Sequence, residues 1–218
     1  MGFRPATVRD LLAGFPDLAP GASPVVFTFD DSDPSQIRFR DDGTLEPDCA
    51  VGIWDAFAKQ HPDFPVRASF YVLPPTPWGQ AKWVRAKLDW LQSRDCEIGS
   101  HTMTHRNLAK LSEGEVGKEL VGAQAFLRDL GVKTVDSIAL PLGIAPKNRE
   151  LLAQTTWNGV PATHRAVLLV GAGPAPSPTS PTFNPMRLPR IQAIEDPYGL
   201  TYWLDRVAAG KVKPFVAP

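Results

Sequence analysis

VVFTFDD, residues 25–31, joins a short apolar run to two adjacent carboxylates. Valine and phenylalanine are frequent in β-strands, and Pro24 marks the beginning of the run, so residues 25–29 are predicted to form a buried strand. Asp30 and Asp31 would then stand at the carboxyl end of that strand. Proteins with parallel sheets carry their functional side chains at this end, so the stretch indicates both a fold class and a site.

Short apolar runs alternate with helical segments along the rest of the chain. Further strands are predicted at residues 67–73, 97–100, 135–140, 165–170 and 188–193. Helices are predicted at residues 49–60, 80–93, 112–130, 147–154 and 201–209. This alternation indicates βα units and a parallel sheet, but it does not distinguish a barrel from an open doubly wound sheet.

A second polar stretch, His101-Thr102-Met103-Thr104-His105, follows the predicted strand at residues 97–100. The two histidines are four residues apart, and on one helical turn their rings would project to the same side. With Asp31 they form a set of one carboxylate and two imidazoles, which suits a divalent metal and leaves positions open for water and substrate. Asp30 is left over as a base for water. The two stretches therefore predict a metal-dependent hydrolase, with a capped turn and solvated histidines as the structural alternative.

The composition is that of an ordinary globular protein, with 218 residues, 43% hydrophobic and 21% charged. One domain, residues 1–218, is expected at this length. The 23 basic and 23 acidic residues cancel, so nothing suggests nucleic acid or an anionic membrane as a partner. No run approaches the about 18 apolar residues of a membrane span, and the first residues lack the apolar core of a signal peptide. Cys49 and Cys96 are the two cysteines, and no bridge between them is expected.

Three motifs resemble those of the NodB-homology polysaccharide deacetylases, carbohydrate esterase family four. TFDD at residues 28–31 is similar to the first motif of that family, and SHTMTH at residues 100–105 to the second. ALPLG at residues 139–143 resembles the third, which is usually written around Arg-x-Pro-Tyr-Gly. The resemblance extends over about residues 24–193. It implies an α/β fold, a distorted (β/α) barrel of seven or eight mostly parallel strands, and a metal-dependent amide hydrolase.

The resemblance also implies roles for individual residues. By motif position, Asp30 is similar to the catalytic base of the family, and Asp31, His101 and His105 are similar to its metal ligands. The backbone N–H of Leu142 falls where the family stabilises the oxyanion. The implied cofactor is a divalent cation, and the Asp-His-His donor set favours Zn²⁺.

Three positions depart from the family pattern. Leu142 stands where the third motif usually has Tyr, although its backbone N–H does not depend on the side chain. Ala139 stands where the third motif usually begins with Arg, and Arg190 stands where the last motif, Leu-x-His, supplies a general acid. Arginine is always charged and is a poor proton donor. We therefore expect Arg190 to replace the missing charge partner of Asp30, holding the base in place and ionised. A surface salt bridge is the alternative role for Arg190, and the general acid is left unassigned.

Three further aromatic side chains, of Trp78, His164 and His61, are considered for a place in the site. Trp78 lies in the loop after the predicted strand at residues 67–73, on the catalytic face, where its ring could be a stacking platform for a sugar; packing within the loop is the alternative. His164 precedes a strand beside Arg165 and is expected at the surface. His61 precedes Pro62 in a turn and is given no role.

The sequence therefore predicts a deacetylase that removes acetyl groups from N-acetylated sugars of a polysaccharide or oligosaccharide. Two alternatives stay open. The departures at Ala139 and Arg190 favour a weak or inactive homologue that binds metal and glycan. An esterase for O-acetyl groups of xylan-type chains would use the same site. Because members of the family mostly act outside the cytoplasm, an extracytoplasmic location is expected, although no signal peptide is recognised.

Overall fold

Six parallel strands form the main sheet of the computed structural model, which describes residues 2–195 and 197–218. The strands are β1 (Phe3–Ala6), β2 (Ser23–Val26), β3 (Thr28–Phe29), β4 (Ser69–Val72), β5 (Glu97–Ser100), β6 (Ser137–Ala139), β7 (Gln154–Trp157), β8 (Val160–Thr163), β9 (Ala166–Ala172) and β10 (Leu188–Arg190). The main sheet has the order β3-β4-β5-β6-β9-β10, and all of its neighbouring strands are parallel. It is curled into a half-barrel.

Helices connect the successive strands of the main sheet from β3 to β6, as the alternating pattern predicts. They are α1 (Val8–Leu12), α2 (Ala50–Gln60), α3 (Val84–Gln92), α4 (Glu113–Asp129), α5 (Glu150–Ala153) and α6 (Leu200–Ala208). Helix α4 begins at a capping box in which Ser112 and Glu115 each bond the other's backbone N–H, and it ends before Gly131, whose φ is +91°. None of the helices in the described ranges combines the length and the apolar character needed to cross a bilayer.

The core lies on both faces of the main sheet. On β4, Phe70 and Val72 pack with residues of α3 such as Leu88, whereas Tyr71 between them packs with Leu168 and other residues on the opposite side. A strand that is buried on both faces reads as a continuous apolar run, which is why residues 67–73 are recognisable in the sequence.

The first predicted strand is divided in the structure. Strand β2 pairs with β1 through Val26, whereas β3 pairs with β4 through Thr28. Between them the ring of Phe27 packs edge-on against Trp54, with the ring centroids 4.8 Å apart. One apolar run therefore serves two sheets, and only the second half leads to Asp30.

Two further elements are not predicted from the sequence. The pair of β1 and α1 has no clear sequence signal, because FRPA, residues 3–6, contains too little apolar periodicity. The hairpin of β7 and β8 replaces the end of the helix predicted at residues 147–154. Its turn signal was present: Asn158 and Gly159 both have positive φ, as a two-residue hairpin turn requires.

His164 is buried and 4% exposed, so the expectation of a surface position is wrong. Its Nδ1 lies 2.9 Å from the Leu152 carbonyl, and its Nε2 lies 3.0 Å from the side-chain amide of Gln124 on α4. The ring is therefore a neutral linker between α4 and the end of β8, with Nδ1 donating and Nε2 accepting. Burial lowers the pKa of this imidazole to about 4.

His164 should make the stability depend on pH in the acid range. Its pKa falls from 6.5 in the unfolded chain to about 4 in the fold, so the unfolded state binds the proton more readily between these values. The stabilisation is complete above pH 6.5 and is lost as the pH falls towards 4, by about 3 kcal/mol in total. Urea unfolding of wild type and His164→Gln across this range should show a shallower decline in the variant. Parallel curves would contradict this assignment.

Candidate active site

Asp31, His101 and His105 converge at the carboxyl ends of β3 and β5. Asp31 Oδ1 lies 3.1 Å from His101 Nε2 and 3.2 Å from His105 Nε2. One donor atom from each of the three side chains lies within 4.8 Å of the others. Strand β4 separates β3 from β5, so the sheet order brings together residues that are some seventy positions apart in sequence.

The segment between the two histidines is an irregular loop, so the predicted helical turn is wrong. Thr102 and His105 both have left-handed backbone, with φ of +65° and +55°. The Thr102 hydroxyl accepts the N–H of His105 at 3.2 Å and closes the loop. The two rings still reach the same carboxylate oxygen of Asp31.

The aspartates diverge because the backbone turns sharply between them and the next residue. Asp31 and Ser32 have φ of +67° and +55°, two consecutive left-handed residues that are not glycine. The turn is held on both sides: the Ser32 hydroxyl accepts the N–H of Leu73 at 2.9 Å, and the Ser32 carbonyl accepts the N–H of Trp78 at 2.8 Å. Asp31 thus faces the histidines, while the side chain of Asp30 is turned towards Arg190 of β10.

Both ring nitrogens of His101 face oxygen acceptors, and in the neutral ring only one of them can donate. The ring is 2% exposed, and its Nδ1 lies 2.8 Å from the Ala139 carbonyl, which can only accept. The hydrogen is therefore on Nδ1, and Nε2 presents a lone pair to Asp31. Burial lowers the pKa of His101, so a second proton on the ring is disfavoured.

This arrangement fits a divalent cation. A lone pair of His101 and a carboxylate oxygen 3.1 Å apart repel each other unless a positive charge lies between them. Nitrogen and oxygen donors bound to one cation at about 2.0–2.2 Å lie about 3 Å from each other, which matches both distances to Asp31. Asp31, His101 and His105 are thus able to hold a metal, with the His101 ring oriented from behind by Ala139.

Asp30 forms a two-pronged ion pair with Arg190 of β10. The guanidinium donates to the two carboxylate oxygens at 2.8 and 2.7 Å. It also donates to the Leu169 carbonyl at 2.7 Å and to the Thr28 hydroxyl at 3.0 Å. These four hydrogen bonds hold the guanidinium in one orientation. Burial disfavours the charge on Arg190, but the hydrogen bonds and the charge of Asp30 outweigh it and raise its pKa. Arg190 thus lies where we expected a charge partner for Asp30.

Leu142 lies in a short turn, Pro141–Gly143, directly after β6. Its backbone is left-handed, with a φ of +59°, and its side chain is exposed. Within the ranges that the structure describes, the Leu142 N–H has no hydrogen-bond acceptor. Gly143 allows the turn to approach β9, since a Cβ there would lie 3.0 Å from the Val170 backbone nitrogen.

Trp78 is fully buried, so the prediction of a stacking platform is wrong. Trp78 has left-handed backbone in the turn Pro77–Gly79, and its indole packs in the core rather than at the site. Its indole N–H donates to the Gln36 side chain at 3.2 Å, and Gln36 in turn donates to the Asp30 carbonyl. The buried amine of Lys87 donates to the Trp78 carbonyl at 3.1 Å. Trp78 therefore supports the aspartate turn from behind, which the sequence does not reveal.

Comparison with known proteins places this chain in a family. The family model described as polysaccharide deacetylase matches residues 18–160, about two thirds of the sequence. The chain belongs to the polysaccharide deacetylase family. No curated protein sequence gave a match.

Two solved structures show the same fold over nearly the whole chain. The Streptococcus pyogenes deacetylase PplD, solved in complex with acetate, is 16% identical with a TM-score of 0.65, covering 94% of this chain and 79% of that one. A polysaccharide deacetylase from Bacillus cereus is 13% identical with a TM-score of 0.60, covering 94% of this chain and 67% of that one. The predicted fold class, a distorted (β/α) barrel, is confirmed, but the main sheet of the described residues has six parallel strands rather than seven or eight.

Trp78 should matter for stability rather than for sugar binding. Trp78→Ala removes a fully buried ring, and we expect the free energy of unfolding to fall by about 3–5 kcal/mol. Trp78→Phe keeps a ring but loses the indole donor, and it should cost about 1–3 kcal/mol. Urea unfolding measures both costs, and calorimetry with an N-acetylated oligosaccharide should give an unchanged affinity for Trp78→Phe. Weaker binding with unaltered stability would restore the stacking role.

Proposed function

We propose that this protein is a metal-dependent deacetylase that removes acetyl groups from N-acetylated sugars of a polysaccharide or oligosaccharide. One observation carries the proposal: Asp31, His101 and His105 offer three donor atoms to one point, and a second carboxylate, Asp30, stands beside them with its own cationic partner. Membership of the polysaccharide deacetylase family supports the same reaction.

The donor set would hold a divalent cation, for which Zn²⁺ is our first choice. When bound, such an ion polarises a carbonyl group and lowers the pKa of water. His101 is held rigidly by the Ala139 carbonyl, whereas Asp31 is 61% exposed and faces solvent. The open side of the donor set would admit a segment of a polymer together with its acetyl group.

Asp30 would act as the base. Arg190 occupies one lone pair on each of its oxygens and fixes the plane of the carboxylate, while the remaining lone pairs stay available to water. Water attacks the acetyl carbon as its proton passes to Asp30. The N–H of Leu142 would donate to the oxygen of the tetrahedral intermediate, where the negative charge develops.

The proton for the leaving amine has no separate histidine donor among the described residues. His61 stacks on Phe57 with the ring centroids 4.1 Å apart, and His164 is buried against Leu152. We therefore assign both transfers to Asp30, which takes a proton from water and gives it to the nitrogen as the C–N bond breaks. The carboxylate is then regenerated beside Arg190.

The rigid Asp30–Arg190 pair favours an active enzyme over an inactive homologue. The position of Ala139 lacks the Arg of the family pattern, but Asp30 has a bidentate guanidinium from β10 instead. An ester and an amide pass through the same kind of tetrahedral intermediate, so an O-acetyl esterase remains the second candidate.

Metal analysis and acetate release test the proposal together. Asp31→Ala and His105→Ala should lose bound Zn²⁺ and acetate release while keeping the wild-type circular dichroism spectrum. Asp30→Asn should keep the metal and slow the reaction by about 10²–10⁴-fold, because it removes the proton acceptor. It also leaves the Arg190 guanidinium with one acceptor in place of two and without a charge partner, so urea unfolding should accompany the kinetics.

The substrates in that assay separate the remaining candidates. Acetate from N-acetylated oligosaccharides supports the proposal, and acetate from O-acetylated xylan alone supports the esterase. Metal bound by wild type without acetate from either substrate would point to a binding protein. Retention of the metal by Asp31→Ala would overturn the assigned donor set.

Arg190 should be required for the rate. Arg190→Ala leaves the Asp30 carboxylate without its partner, and we expect a loss of about 3–5 kcal/mol in stability and a drop in kcat of about 100-fold. Arg190→Lys keeps the charge but loses the two-pronged geometry, so an intermediate kcat is expected. Steady-state kinetics measure both variants. A kcat for Arg190→Ala equal to that of wild type would exclude this role.

A further inference from the structure

Glu119 of α4 is a buried carboxylate that faces the loop between the two histidines. It is 4% exposed. Its Oε2 accepts the N–H of Met103 at 3.0 Å and the N–H of Thr104 at 2.8 Å, and its Oε1 accepts the Thr104 hydroxyl. One side chain thus receives three hydrogen bonds from two consecutive loop residues.

Met103 and Thr104 do not lie in a helix, so no helical carbonyl accepts their backbone N–H groups, and Glu119 accepts both instead. A buried carboxylate is costly unless it is well bonded, and here the loop supplies the donors, so the two parts stabilise each other. The loop is also seated on the helix, because a Cβ at Gly122 would lie 3.6 Å from the Met103 side chain. Val116 and Leu120, both buried, fix this part of α4 against the sheet.

The two histidines depend on this support to different degrees. His101 is anchored independently, since its N–H donates to the Val72 carbonyl and its ring is bonded to Ala139. His105 follows the supported residues directly and has left-handed backbone. Among the described residues, its backbone N–H donates to the Thr102 hydroxyl of the same loop rather than to a strand. A change at Glu119 should therefore displace His105 and leave His101 in place.

We propose that Glu119 is a positioning residue that holds His105 in reach of Asp31 and so sets the affinity of the site for a divalent cation. The inference rests on the proposed function, since it concerns the same three donors. Glu119 makes none of its hydrogen bonds to those donors and acts through the backbone of Met103 and Thr104.

Glu119→Gln tests the proposal with almost no change in shape. An amide cannot accept on both of its terminal atoms, so one group of loop donors would face an NH₂ group. The matched control is Glu113→Gln on the same helix, where an exposed carboxylate accepts from the Asn148 side chain instead. Thr104→Val provides a milder variant, since it removes the hydroxyl bond and leaves both backbone bonds intact.

Zn²⁺ affinity by chelator competition and the visible spectrum of the Co²⁺-loaded protein are the measurements. Glu119→Gln should bind Zn²⁺ about 10–100-fold more weakly and show an altered Co²⁺ spectrum, as a site with a displaced ligand would. Thr104→Val should bind several-fold more weakly, and Glu113→Gln should match wild type. Urea unfolding of the metal-free proteins gives the stability of each.

The outcomes separate this inference from the proposed function. If wild type binds neither metal, both fall. If wild type binds and Glu119→Gln binds equally well with reduced stability of the metal-free protein, Glu119 is only structural and the inference alone is overturned. If Glu119→Gln does not fold, Thr104→Val decides: weaker Zn²⁺ binding supports the inference, and wild-type affinity refutes it.

Discussion

The hydrogen bond from His101 Nδ1 to the Ala139 carbonyl is the interaction on which the site depends. It joins the ends of two neighbouring strands, β5 and β6, and it selects the tautomer of the ring. With the hydrogen on Nδ1, the Nε2 lone pair must face Asp31, and the contact between them requires a positive charge. The Ala139 carbonyl belongs to the buried end of a strand and cannot rotate away. The sheet therefore fixes which nitrogen of His101 faces Asp31.

The guanidinium beside Asp30 comes from a different strand end than the family pattern suggests. The third motif of the family usually has an Arg at the position of Ala139, whereas the partner of Asp30 in this chain is the expected Arg190 of β10, on the far side of β9. What the carboxylate needs is a rigid two-pronged cation, and several strand ends of a curled sheet can direct one to it. The small side chain of Ala139 is fully buried, while its carbonyl orients His101.

The sequence predicts the elements well and the loop conformations poorly. The βα alternation, the capping box at Ser112 and the meeting of Asp31 with His101 and His105 all follow from residue types and spacing. A spacing of four fits a helical turn, but nothing in HTMTH reveals that Thr102 and His105 are left-handed. Likewise the direction of the Trp78 ring depends on the backbone of a single loop residue. These loop conformations depend on hydrogen bonds to residues distant in sequence, so they cannot be predicted from the neighbouring residues alone.

The burial of the three donors is uneven, from the enclosed His101 ring to the solvent-facing carboxylate of Asp31. A small chelating headgroup, such as a hydroxamate, could therefore approach the donors from solvent without passing through a narrow tunnel. Attached to a sugar ring, the headgroup would combine chelation at the three donors with sugar contacts in one inhibitor. Under the proposed function, the opening that would admit a polymer would also admit such an inhibitor.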